Sequence, residues 1–232
     1  ALTGATPGLA TASDSRKMRI RIIYSLHAPV QPRPDWPNVG FDFRPHMERI
    51  TGGLTKQCSE FEFVSSMAIG PEQAEKILEQ DKGGSIDGYV VYQMNCWNRV
   101  VQTIAKSGKP VLYADFQYGG SGGFLVYTAG FLRGETPNVG FVSSSKFEDL
   151  VEAVKCFDVV AKGGSPAAFV AATAKVRETM TPKPGDLSCE SDAVSTLPVD
   201  ECIRRLKEAK ILAVRGQQEG PAGSWMGIPV EH

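Results

Sequence analysis

The run Asp87-Gly88-Tyr89-Val90-Val91-Tyr92-Gln93-Met94-Asn95-Cys96-Trp97-Asn98, continued by Pro110-Val111-Leu112-Tyr113-Ala114-Asp115 and Gly119-Gly120-Ser121-Gly122-Gly123-Phe124, decides the fold of this chain. Two apolar stretches, 88–94 and 110–114, each end in a polar, aromatic or glycine-rich loop. Strands that are apolar on both faces belong inside a parallel sheet, and loops of that composition mark its carboxyl edge. Small ligands sit at that edge, because loop backbone and helix N-termini converge there.

Outward from this stretch, strand and helix periods alternate. Strands are expected at Met18–Leu26, Phe61–Met67, Gly88–Met94, Val111–Ala114 and Val139–Val142. Helices follow at Phe43–Cys58, Pro71–Glu79, Asn98–Ser107, Gly123–Leu132 and Phe147–Lys162, with another at Pro166–Thr179. Five such units with short connections predict a doubly wound parallel α/β sheet of flavodoxin or Rossmann-like type over 18–181. The exception is the segment from His27 to Arg44, whose prolines at 29, 32, 34 and 37 exclude regular structure. Residues 182–198, rich in Pro, Ser, Asp and Gly, read as a linker. From 199 to 232 a helix (Asp200–Lys210), a strand (Ile211–Val214) and a strand entry at 227–232 read as the beginning of a second α/β domain, incomplete within this sequence.

Residues 1–17 begin without charge and carry small-residue alternation at Leu9-Ala10-Thr11-Ala12, as export signal cleavage sites do. They read equally as the remnant of such a signal, with a periplasmic or extracellular destination, or as a flexible leader on a cytoplasmic protein. With Lys+Arg at 25 against Asp+Glu at 26, no basic field points to nucleic acid. No apolar run reaches the roughly 18 residues of a membrane span. Cysteines 58, 96, 156, 189 and 202 include no C-x-x-C pair, which argues against a zinc knuckle or a thioredoxin-type site.

Several chemistries lack their sequence signatures. Gly119-x-Ser121-x-Gly123 satisfies the serine nucleophile elbow formally, but Phe116 to Tyr118 intervene after the strand and the only downstream histidine is His232. No dinucleotide fingerprint follows the first strand, and no P-loop occurs. His27 and His46 with Asp35, Asp42 and Glu48 lack metal-ligand spacing, so no metal is expected on this segment. The glycines at 119–123 read better as a helix start that approaches a polar ligand or a neighbouring subunit closely. Trp97, flanked by Asn95 and Asn98, has the make-up of a sugar platform: an indole for the C–H face and amides for the hydroxyls. Tyr118 and Ser121 complete the set of candidate substrate-binding residues.

The succession Asp87–Val91, Asn95-Cys96-Trp97, Lys109–Asp115 and Gly119–Gly123, with the later Phe147–Leu150 and Ile211–Val214, resembles the N-terminal region of the L-fucose/L-arabinose isomerase family. That resemblance implies an aldose–ketose isomerase acting through an enediol held by a divalent metal, manganese. The Cys-Trp pair matches Cys96-Trp97, with the tryptophan reaching the sugar site of an adjacent subunit. The family's metal ligands belong to later domains, so this segment alone would be a sugar-recognition portion, binding no cofactor and working as a homo-oligomer or with a second chain. The alternative is a noncatalytic sugar- or small-molecule-binding module of periplasmic-binding-protein or flavodoxin-like type.

Overall fold

The computed structural model describes residues 16–84, 86–117, 119–185, 195–212, 224–225 and 228–231. The chain divides into two compact units, Ala1–Pro182 and Lys183–His232.

In the first unit, strands β1 (Arg19–Ser25), β2 (Glu62–Ala68), β3 (Gly88–Gln93), β4 (Val111–Asp115) and β5 (Val139–Val142) form one parallel sheet in the order β2-β1-β3-β4-β5. Helices α1 (Arg44–Gln57), α2 (Pro71–Gln80), α3 (Val100–Ala105) and α4 (Ser121–Arg133) connect successive strands. This is the doubly wound α/β sheet expected from the strand pattern. The order reverses direction between β1 and β3, so the loops after those two strands diverge from a switch point, where a crevice opens in such folds.

Side-chain alternation divides the core in two. Ile20, Ile22, Tyr24, Val90 and Leu112 face one side, with Ile50 and Leu54 of α1. Ile23, Tyr89, Val91, Val111 and Tyr113 face the other, with Ala74 and Ile77 of α2 and Phe124 of α4. Below the second layer, Arg21 donates from Nε and Nη2 to both oxygens of Asp81, at 2.9 and 2.6 Å, and from Nη1 to Ser66 at 2.7 Å. Tyr89 donates its hydroxyl to the same carboxylate at 3.2 Å. The Asp81 side chain is 1% exposed and Arg21 16%, so a buried carboxylate is tied through a partly exposed guanidinium, joining β1 to the end of α2.

Several elements differ from the sequence expectation, among them the helix after β4, which starts at Ser121 rather than Gly123. The third helix starts at Val100 rather than Asn98, because Arg99 holds the left-handed conformation at φ 56° and helical dihedrals begin only after it. The expected helix Phe147–Lys162 is two, α5 (Phe147–Lys155) and α6 (Phe157–Ala161). They meet at Cys156, where amides bond three residues back, Cys156 to Ala153 and Val159 to Cys156. Helix α7 (Pro166–Met180) starts on Ser165, whose hydroxyl accepts from the amide of Ala168. Its Arg177 donates to the Phe141 carbonyl of β5 at 2.9 Å, which covers that edge of the sheet.

The second unit holds α8 (Val199–Glu208) and strands β6 (Ile211–Leu212), β7 (Ser224–Trp225) and β8 (Ile228–Glu231). The strand order is β6-β8-β7, with β6 parallel and β7 antiparallel to β8.

Candidate functional site

At the switch point the structure fills the crevice with the protein's own loops. Asn95, fully buried, donates from Nδ2 to Gln31 Oε1 at 3.2 Å and to the Trp36 carbonyl at 3.1 Å, and accepts the His27 amide at 2.9 Å. Asn98 accepts from Ser25 Oγ at 2.6 Å and from Gln93 Nε2 at 3.1 Å, and donates to the Asn95 carbonyl at 3.2 Å. Gln93 also donates to the Asn95 carbonyl and accepts the Tyr113 hydroxyl at 2.8 Å. Buried polar groups need partners, and here each amide finds them inside the protein. Asn95 and Asn98 thus fasten the loop after β1 to the loop after β3.

Between them, Trp97 is held at φ 62° and is 60% exposed, its ring set edge-on against Tyr127 at 6.2 Å. A bulky residue in the left-handed region costs on the order of 1–3 kcal/mol and persists only where its surroundings over-determine it, as the Asn95 and Asn98 bonds do. Tyr118 lies outside the described residues.

The glycine run has a structural task. A Cβ on Gly120 would overlap the backbone of Gln93, 2.6 Å from its carbonyl carbon, and one on Gly123 would stand 3.1 Å from Cys96 Cα. What approaches these glycines is the end of β3. The Gly123 amide donates to Cys96 Sγ at 3.2 Å, which seats the start of α4 on the β3 loop.

Ser121, within that run, donates instead to the carboxylate that ends β4. Asp115 accepts from Ser121 at 3.0 and 3.1 Å and from Ser143 at 2.9 Å, and the residue is 6% exposed. No cation forms an ion pair with it among the described residues. Burial pushes its carboxyl above the ordinary value, against the two hydroxyl bonds that pull it down. Tyr92, on the adjacent strand, has its phenol pushed up to about 12 by burial and by the Asp115 charge.

Tyr92 of β3 lies beside this carboxylate and joins an aromatic cluster drawn from α1 and from the loops after β1 and β4. His46 stacks on Phe41 at 5.0 Å and meets Phe116 edge-on at 5.5 Å, while Tyr92 lies 6.4 Å from Phe116. The cavity among Tyr92, Asp115 and Ser144 is about 10 Å³, room for one water, so a larger ligand would rest on the edge rather than in a hole. Of the residues predicted from sequence, Ser121 alone contacts Asp115. Phe41, Tyr92, Phe116, Asp115 and Ser143 escape the sequence reading, and His46 enters it only as a metal ligand; the one usable signal is an acid that closes an otherwise apolar strand.

No family model matches the chain, and no curated protein matches it in sequence. Similar solved structures include a sugar ABC transporter from Yersinia enterocolitica subsp. enterocolitica 8081, at 13% identity and TM-score 0.33 over 76% of this chain and 49% of that one. Another is a regulatory protein of LacI family from Chloroflexus aggregans, at 11% identity and TM-score 0.29 over 68% of this chain and 73% of that one. A third is the transcription regulator CcpA of Lactococcus lactis, at 12% identity and TM-score 0.28 over 70% and 74%. The chain spans about half the length of the first of these.

The isomerase resemblance, and with it the sugar-isomerase function, does not stand: no family model carries the chain into that group. The physical reason lies in what the quoted motifs do. Asp87–Val91 and Lys109–Asp115 include strands buried on both faces, and Gly119–Gly123 is a close-packed helix start. Any doubly wound sheet requires such segments, so the pattern specifies the fold and not an isomerase. The manganese was implied only through that resemblance, which placed its ligands in later domains; among the described residues no three His, Cys, Asp or Glu side chains are grouped to hold a metal ion.

Proposed function

We propose that the first unit is a noncatalytic binding domain for a small hydroxyl-bearing ligand of the sugar class, received at the carboxyl edge of the sheet. The observation that carries this reading is Asp115: a buried carboxylate at the end of a central strand, held by two serine hydroxyls and by no cation. A carboxylate is an acceptor only, with lone pairs beyond the two hydroxyl protons it receives, and ligand hydroxyls are the donors that suit them. Phe116, Phe41 and His46 supply the apolar faces that sugar C–H groups need, and Trp97 is a further exposed ring on the same edge of the sheet.

Isothermal titration of the whole chain against a panel of pentoses, hexoses and 6-deoxyhexoses tests this. A sugar that binds should do so with affinity reduced tenfold to about a hundredfold in Asp115→Asn, since hydrogen bonds to a charged acceptor are worth about 1.5–3 kcal/mol. Trp97→Ala should weaken it less, by the loss of one stacking face. A sugar bound equally by wild type and Asp115→Asn places the site elsewhere, and no binding across the panel refutes the reading.

A further inference from the structure

The two edges of the five-stranded sheet end differently. At β5 the helix α7 lies against the strand, with Arg177 bonded to the Phe141 carbonyl and its guanidinium 3.8 Å over the Phe141 ring. At β2 the strand order places no strand beyond it among the described residues. The Glu62 amide donates to Met18, and the Ala68 carbonyl accepts from Leu26, so Glu62, Val64, Ser66 and Ala68 turn their backbone groups toward β1. Phe63, Ser65 and Met67 therefore turn theirs outward, by the alternation of a strand. Among the described residues none of those outward groups has a hydrogen-bond partner.

Exposed edges are ordinarily blunted by lysine, proline, a bulge or a covering element. Residues 62–68, Glu-Phe-Val-Ser-Ser-Met-Ala, carry neither lysine nor proline. Their one charge, Glu62, is engaged by Arg19 of β1 at 2.9 Å. Met67 is 47% exposed and Ile69 51%. Cavities of about 440 and 570 Å³, both lined by Ser66 and Met67, leave room on the two sides of the strand.

We propose that β2 is a homodimer interface, in which the β2 strands of two copies pair antiparallel about a two-fold axis at Ser65 and join two sheets into one. The sequence of the edge selects a second copy as its occupant. With Ser65 opposite the partner's Ser65, Phe63 falls opposite the partner's Met67, and both are residues whose backbone groups face outward. These are the hydrogen-bonded pairs of an antiparallel ladder, and they satisfy every outward group of 63, 65 and 67 at once. The side-chain pairing agrees: a thioether meets a phenyl ring, and Glu62 faces the partner's Ala68, so no like charges oppose. An isologous contact needs such a self-complementary patch. A seven-residue strand gives a contact line of about 23 Å. That lies near the small end of stable interfaces, roughly 1,200 Å² in total, and fits a micromolar dimer.

Sedimentation of the whole chain over a concentration series tests the proposal, with amide hydrogen exchange as the local readout. A reversible dimer is expected, with the amides of Phe63, Ser65 and Met67 growing slower to exchange as it forms. Ser65→Pro removes one donor per copy at the axis, and should raise the dissociation constant about tenfold to a hundredfold. Ser65→Lys sets two like charges across the axis on an exposed position and should act the same way without touching the core; Leu125→Lys, exposed on α4, should leave the dimer unchanged. A chain that stays monomeric into the millimolar range, or a dimer that survives Ser65→Lys, overturns it, as does protection of these amides by an added extended peptide alone. Sugar affinity plays no part in these readouts, so the fate of the binding reading does not decide this one.

Discussion

Replacing glycines 119, 120, 122 and 123 one at a time by alanine separates two uses of the same loop. If the glycines open the helix start to a ligand, each alanine costs affinity and leaves the fold intact. If they let α4 close onto β3, each costs stability in proportion to what its methyl meets. At Gly120 a methyl would stand 2.6 Å from the Gln93 carbonyl carbon and 2.9 Å from its Cγ. Ordinary contact begins near 3.4 Å. The Gln93 carbonyl oxygen lies nearer still, so the backbones must part by more than about 0.8 Å along a packed strand, at a cost of about 3 kcal/mol or more. At Gly119 the methyl would overlap the Met94 carbonyl and press on Phe116 at 3.0 Å, for about 2–3 kcal/mol. At Gly123 the nearest atoms lie at 3.1 and 3.2 Å, a shift of a few tenths of an ångström and about 1 kcal/mol. At Gly122 the nearest is Cys96 Sγ at 3.4 Å, so the reduced freedom of the unfolded chain should leave the variant neutral or more stable by roughly 0.5 kcal/mol. Urea denaturation followed by circular dichroism reads the series. The order 120, 119, 123, 122 supports packing; four variants of wild-type stability would refute it, whatever they did to binding.

Two further perturbations probe the buried charges. Arg21→Ala leaves the Asp81 carboxylate buried with only the Tyr89 hydroxyl, and should cost about 3–5 kcal/mol, roughly 6–20 °C in melting temperature; the paired change Arg21→Met with Asp81→Leu should cost much less, and calorimetry showing equal losses would mean that shape rather than charge is at stake. For Asp115, burial makes the folded protein hold the proton more tightly than the unfolded chain, so stability present at low pH is lost as pH rises from about 4 through the raised folded value. Asp115→Asn should remove that slope, growing more stable relative to wild type across the window and level above it; parallel curves from urea midpoints at a series of pH values would contradict the assigned burial cost.

What the sequence discloses and what it hides follow from the range of the interactions involved. Strands β3 and β4 are legible because burial on both faces leaves an unbroken apolar run, a property carried by consecutive residues. The late start of α3 is not, because the left-handed turn at Arg99 is imposed by amides whose partners, Ser25 and Gln31, lie about seventy residues away. The same distance hides the roles of Asn95 and Asn98. A polar residue after a strand looks alike whether it awaits a ligand or a loop, and only the arrival of residues 27–36 at the switch point decides between them. Asp115 is the converse case. It sits at the same kind of position, yet its partners are two nearby hydroxyls that leave acceptor capacity unspent. At the carboxyl edge of a doubly wound sheet, then, the useful question about a polar side chain is how much of its hydrogen-bonding capacity the protein has already consumed. By that measure the amides belong to the scaffold, and the carboxylate beside Tyr92 is where a ligand would have something left to bond.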